Sequence, residues 1–249
     1  MTKREVVGRY RGSVLGLAWS FFNPILMLSV YTFVFSVVFK ARWGMDGGED
    51  KASFALFLFV GMIVHTLFAE CVNRAPGLIL SNANYVKKVV FPLEILPSVV
   101  MGSALFHTII SLVVLLGAQL LFNQRFPWTI VFLPVILLPL LLATAGVAWV
   151  LSSLGVFVRD IAQITGILTT VLMFLSPVFY PVSALPRDYQ LWLHLNPLTF
   201  IIEQARNVLI FGDAPDWTGW MIVFAASLTI ATGGFWWFQK TRKGFADVL

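Results

Sequence analysis

The sequence predicts an all-α polytopic membrane protein. Six transmembrane helices are expected, with an amphipathic helix ahead of the first, a short helix after the second, and re-entrant helices before the last. Three observations carry this. Only 12% of the 249 residues are charged, where soluble chains carry about a quarter, and the mean hydropathy is +0.87. The apolar residues fall into runs near the ~20 residues that cross a bilayer. Basic residues gather at the ends of alternate runs, the asymmetry that orients spans in a membrane.

The first stretch, "VGRYRGSVLGLAWSFFNPIL" at 7–26, runs from basic to apolar with no linker. Residues 12–39 hold no charge, and as one helix they would reach about 42 Å, well beyond the ~30 Å hydrocarbon core. Their first part is therefore expected at the interface, with the span at 21–39 and a change of direction at Asn23-Pro24. Val7, Tyr10, Val14, Leu17 and Phe21 follow 3/4 spacing, while Arg4, Arg9, Arg11 and Ser13 lie off that stripe. A helix of this kind over 3–20 lies in the headgroup layer, with Arg9 and Arg11 near lipid phosphates. An ordinary basic flank to a first span would have similar composition. No A-x-A-like cleavage site marks a signal peptide.

The second span is read at 53–71, ending near Glu70 and Arg74, and the third at 95–122, long enough to tilt. The fourth, 129–155, contains Pro134 and Pro139, read as kinks that neighbouring helices satisfy. The fifth is placed at 161–180 and the sixth at 217–238. With the N-terminus inside, eleven of the 17 basic residues are cytoplasmic: Lys3, Arg4, Arg9, Arg11, Arg74, Lys87, Lys88, Arg159, Lys240, Arg242 and Lys243. Acids run the other way, with Asp46, Glu49 and Asp50 clustered outside. Both termini are therefore expected in the cytoplasm. Because the basic residues sit at span ends, the net charge of +5 does not point to nucleic acid.

Two stretches are more than loops. "SNANYVKKVVFPLEILP" (81–97) places Val86, Val89, Val90 and Leu93 at helical spacing, with Lys87 and Lys88 together on another side and Pro92 limiting the length. Such a helix, over 82–94, can float on the inner leaflet or insert its apolar ridge into a soluble partner. The second stretch, "SPVFYPVSALPRDYQLWLHLNPLTFIIEQARNVLIFGDAP", holds prolines 177, 181, 186, 197 and 215. Its helical segment 198–210 is too short to span and suits a re-entrant element, covered by protein or a water-filled cavity. Glu203 and Arg206, at i, i+3, are placed to pair. They serve either local charge neutralisation or a gate.

Catalytic chemistry has little to stand on. His65, His107 and His194 are scattered, and the single Cys71 excludes a disulfide framework or a multi-cysteine metal site. No G-x-x-x-x-G-K-[ST] loop is present, so P-loop ATP hydrolysis is excluded on this chain. No carboxylate pair stands out for a membrane enzyme, and no repeat or midplane acid for an ion-coupled carrier. Aromatics are abundant, with 23 Phe, nine Trp and five Tyr. They either pack and face lipid or line a pore where rings stack on sugars.

"RYRGSVLGLAWSFFNPILMLSVYTFVFSVVF", "NANYVKKVVFPLEILP" and "SPVFYPVSALP…LNPLTFIIEQARNVL", in this order along nearly the whole chain, resemble the membrane subunits of bacterial polysaccharide-exporting ABC transporters. The O-antigen type is most similar, with teichoic-acid and capsule exporters related. Members commonly have more residues ahead of the interface helix than the Met-Thr here. The resemblance implies a homodimer with two copies of a separate ABC ATPase, which binds ATP and Mg; this chain carries no cofactor or metal. The implied load is a polysaccharide on a polyprenyl diphosphate lipid. By position, Arg4, Arg9, Tyr10 and Arg11 would belong to the interface helix. Tyr85, Val86, Lys87, Lys88, Val89, Val90, Phe91 and Leu93 would form the coupling helix. Tyr31, Phe35, Phe174, Phe179 and Tyr180 would line the channel. Pro177, Pro181, Pro197, Glu203 and Arg206 would belong to an outer gate, whose re-entrant part would span 183–210. A small lipid or drug is the alternative load.

Overall fold

The computed structural model describes residues 1–34, 51–87, 91–123 and 127–248. Among them there are helices and turns but no strand. In chain order the helices are α1 (Thr2–Arg9), α2 (Trp19–Tyr31), α3 (Lys51–Arg74), α4 (Leu78–Ser81), α5 (Ala83–Lys87) and α6 (Ile95–Asn123). There follow α7 (Leu133–Phe157), α8 (Ile161–Phe174), α9 (Arg187–His194), α10 (Pro197–Arg206), α11 (Trp217–Thr241) and α12 (Phe245–Val248). Among the described residues, five stretches are long and apolar enough to cross a membrane: Gly16–Val34, Phe54–Arg74, Ile95–Phe122, Trp128–Phe157 and Trp217–Gly244.

The structure corrects several of the expected elements, and glycine or proline explains each. The helix expected over 3–20 stops at Arg9. Gly12 (φ +88°) and Gly16 (φ +50°) adopt left-handed backbone that costs glycine little, and a single 3₁₀ turn, Gly16–Ala18, leads into α2. The apolar stripe is thereby broken: Tyr10 is half-buried while Val14 is fully exposed. The break in the helix thus falls at these glycines, and α2 continues through Pro24. Pro134 lies in the first turn of α7, where a missing N–H disturbs nothing, so only Pro139 is internal to that helix.

The fifth apolar run is helical only to Phe174, fourteen residues or about 21 Å. Pro177 has no N–H for the Met173 carbonyl and disfavours helix at Ser176. The turn that follows, Ser176–Val178, is buried, as irregular backbone at membrane depth must be. Of the short helix expected at 82–94, the described residues are helical only over Ala83–Lys87 (α5), and Phe91–Glu94 is non-helical. Pro92 favours extended backbone at Phe91. Residues 88–90 lie outside the described part.

α3 is the hub, packing on α2, α6, α7, α8 and α10. Its apolar window is 72% buried, against 11% for the stretch containing α2. Leu56, Val60, Ile63 and Leu67 meet Leu115, Ile136, Leu140, Val178, Ile201 and Ile202 in the main core. A second core at the end that carries α1, α4 and α5 gathers Leu78, Ile79, Leu93, Leu96, Val100, Val156, Phe238 and Phe245. α7 and α11 cross through glycines. A Cβ on Gly146 would lie 2.4 Å from the Ile230 carbonyl oxygen, and one on Gly234 2.2 Å from that of Gly146. Small residues that let backbones touch are how helices associate in lipid.

Candidate functional site

At the basic end, α1 is moored to the bundle by charge. Arg9 pairs with Glu70 of α3 and places its Nη1 3.1 Å from Nδ1 of His107 on α6. An arginine can only donate, so Nδ1 accepts. The other ring nitrogen, Nε2, lies 3.0 Å from the Tyr10 hydroxyl. The other Glu70 oxygen stands 3.5 Å from the same ring. Arg74 pairs with Glu5 and reaches Glu70 at 3.6 Å. Tyr10 meets the imidazole edge-on, with centroids 6.0 Å apart. Burial pushes its phenol above the ordinary value, so it stays neutral near pH 7. Thr2 seats on Gly102, where a Cβ would come within 2.8 Å of the Thr2 methyl. Beneath this network lies a cleft of about 240 Å³ between α2, α3 and α6, polar at Arg9, Glu70 and His107 and apolar at Met27, Tyr31 and Met62.

The segment between α3 and α6 rests beside it. Arg4 donates to the Tyr85 hydroxyl at 3.0 Å, tying α1 to α5. Tyr85 stacks on Phe91 with centroids 4.8 Å apart, and Leu93 is buried in the second core. Arg11 is exposed. The side chains of Val86 and Lys87, and Lys88, Val89 and Val90 altogether, lie outside the described residues, as does Phe35.

The opposite end is built around Arg206. Only 4% exposed, it donates from Nε to the Phe57 carbonyl and from Nη2 to the Val178 carbonyl, both at 3.0 Å. Gly61 makes room, since a Cβ there would lie 3.0 Å from the guanidinium. The charge expected to pair with Glu203 thus joins α10 to α3 and to the turn after α8. Glu203 contributes its field from nearly one turn earlier on α10. Glu203 also borders a polar pocket of about 350 Å³ with Pro181, Ser183, Gln204 and Asn207.

Asn196 caps α10 by accepting from Leu198 N at 3.0 Å and reaches Ser176 Oγ at 2.9 Å. Pro197 occupies the first helical turn. α10 then widens into a π-helical turn, Asn207–Phe211. Its Val208 and Leu209 carbonyls accept from Thr129 Oγ1 at 2.7 Å and Gln119 Nε2 at 2.8 Å. Pro177 is buried in the turn. Phe174 and Phe179 stack at 5.6 Å, and Tyr180 bonds the Phe174 carbonyl at 2.7 Å. These three form one aromatic group, while Tyr31 faces the separate α2–α3–α6 cleft.

Sequence reasoning missed Glu5, Glu70, Arg74 and His107 as one network. The available signal was a carboxylate and a histidine inside apolar runs, facing a basic first helix. His65, by contrast, is a buried helix-to-helix link, with Nε2 3.0 Å from the Thr169 carbonyl. Among the described residues no three His, Cys, Asp or Glu side chains cluster as a metal site.

A basic helix moored at one end and short helices broken by prolines at the other accompany the long apolar helices. Residues 1–210 match the ABC-2 type transporter family. The chain belongs to that family. This ABC-2 subunit is a multi-pass membrane protein and a transporter component that works with an ATPase partner, without being an enzyme itself. It is 29% identical over 251 residues to the O-antigen export system permease protein RfbA of Myxococcus xanthus, covering all of this chain and 94% of that protein. The protein of the same name from Klebsiella pneumoniae is 25% identical, over all of this chain and 93% of its own length. The polysialic acid transport protein KpsM of Escherichia coli is 25% identical over 92% of this chain and 86% of its own.

Proposed function

We propose that this subunit forms the channel of an ATP-driven exporter that moves a polyprenyl-diphosphate-linked polysaccharide, an O-antigen, across the bacterial inner membrane. The observation that carries the reading is end-to-end similarity to O-antigen export permeases. The relatives named for polysialic acid and capsule favour a capsular polymer as the second reading. Two copies of this chain would work with two ATPase subunits that bind ATP and Mg, both termini lying in the cytoplasm. The exposed apolar faces of α2 (Phe22, Ile25, Val30) and α8 (Ile164, Ile167, Phe174) support a channel formed where two copies meet. Tyr31, Phe35, Phe174, Phe179 and Tyr180 would contribute its wall. Residues 82–94 would dock on the ATPase, and 183–210 would gate the outer end. α1 would sit where the lipid-linked polymer enters.

The test is gentle solubilisation from the native membrane, capture of this chain, and identification of what accompanies it. An ABC ATPase at one copy per chain, with a glycan on polyprenyl diphosphate, is the expected result. Capture of the chain alone would overturn the reading, and a capsular glycan in the same sample would favour the second one.

A further inference from the structure

We propose that Arg242 and Phe245, beyond α11, are positioning residues. They clamp the segment that docks on the ATPase to the α7–α11 pair. The inference rests on the coupling role proposed above for residues 82–94, and goes beyond it by naming what holds that segment and where its motion is delivered.

α12 has only four residues, far too few to be helical by its own propensity. Yet its Phe245 is completely buried. The ring lies edge-on to Phe238 of α11 at 5.6 Å and tilted against Phe157 of α7 at 5.9 Å. Leu78 and Ile79, just ahead of the docking segment, and Leu93, near its end, share the same core. An aromatic side chain drawn from water into such a core is a large part of what fixes the local structure. Arg242 adds a polar tie, its Nη1 lying 3.1 Å from Glu94. The Glu94 carbonyl accepts from Trp149 Nε1 of α7 at 3.0 Å. The chain just ahead of the segment is seated on the same helix, since a Cβ on Gly155 would lie 2.1 Å from the Pro76 carbonyl oxygen.

Both ends of the segment are therefore fastened to α7 and α11, and those two helices are fastened to each other at Gly146 and Gly234. Between the fastened ends, Ser81 and Asn84 are exposed. A push on that middle part is passed to α7–α11 as a unit, because well-packed elements shift as bodies and do not deform continuously.

The experiment uses the subunit with its ATPase partner in lipid vesicles, loaded with lipid-linked glycan extracted from the source membrane. Export per ATP hydrolysed is the readout. Arg242→Glu and Glu94→Arg should each lower it about fivefold while ATP hydrolysis continues, and the double exchange should restore it. Phe245→Ser should behave like the single reversals, and Phe245→Leu like the unaltered chain. Single reversals that export normally per ATP, or a double exchange that restores nothing, would overturn the clamp. Phe91→Asp in the docking segment separates the two ideas. If Phe91→Asp uncouples and the clamp variants do not, only the clamp falls; if it too is silent, the coupling role falls and the clamp with it.

Discussion

Two arginines define the ends of the molecule, and they work in opposite ways. Arg9 is partly exposed and acts through charge, holding α1 against α3 and α6 by way of Glu70 and His107. Glu70→Gln removes the anion at the centre of that network. Amide exchange over residues 2–9 should then rise about tenfold. Glu5→Gln should change it less, since its side chain is 38% exposed where that of Glu70 is 14% and exposed pairs contribute little. Equal exchange in both variants would show that Glu70 is not the mooring. Arg206 acts instead through geometry, its planar fork meeting two carbonyls on separate elements. A lysine keeps the charge but cannot span both. Arg206→Lys should therefore cost about 2 kcal/mol, read as a lower midpoint of thermal unfolding in detergent. An unchanged midpoint would show that one carbonyl contact suffices. Neither arrangement could be read from spacing. Arg9 and Glu70 are 61 positions apart, and Arg206 and Phe57 149, so no local pattern joins them.

The elements were legible where hydrophobicity alone decides them. The apolar runs at 53–71, 95–122, 129–155 and 217–238 all coincide with long helices, because a helix in lipid needs only length and apolar composition. Reading failed where backbone conformation decides. Gly12 and Gly16 end α1 and redirect the chain, yet in sequence they resemble any small residue in an amphipathic pattern. Pro24 looked like a break and is not one, while Pro177 is. The difference lies in whether the chain beyond the proline continues as helix or folds into a buried turn. The α7–α11 crossing is equally hidden, since Gly146 and Gly234, each inside an apolar run, give no hint of their partner. Gly146→Ala would drive a methyl into the Ile230 carbonyl and should cost about 1–3 kcal/mol. Gly233→Ala, with open space around it, should be nearly neutral. Melting of the two variants side by side checks this, and equal midpoints would mean that the crossing can yield.

For the molecule as a whole, the basic end carrying α1, α4, α5 and α12 is the one expected in the cytoplasm. With Cys71 replaced by alanine, Thr2→Cys should resist a membrane-impermeant maleimide added to intact cells, and Asp213→Cys should react. The reverse pattern would invert the topology. The π-helical turn at 207–211 bears on a different property, tolerance to a change of length. One extra residue in that turn frees the Val208 and Leu209 carbonyls for Thr129 and Gln119. Deleting one residue would restore ordinary helix and rotate all that follows by about 100°, so Gly212 and the approach to α11 would leave from the wrong side. The outer segment can accordingly exchange side chains with a homologue far more readily than it can lose or gain a single position.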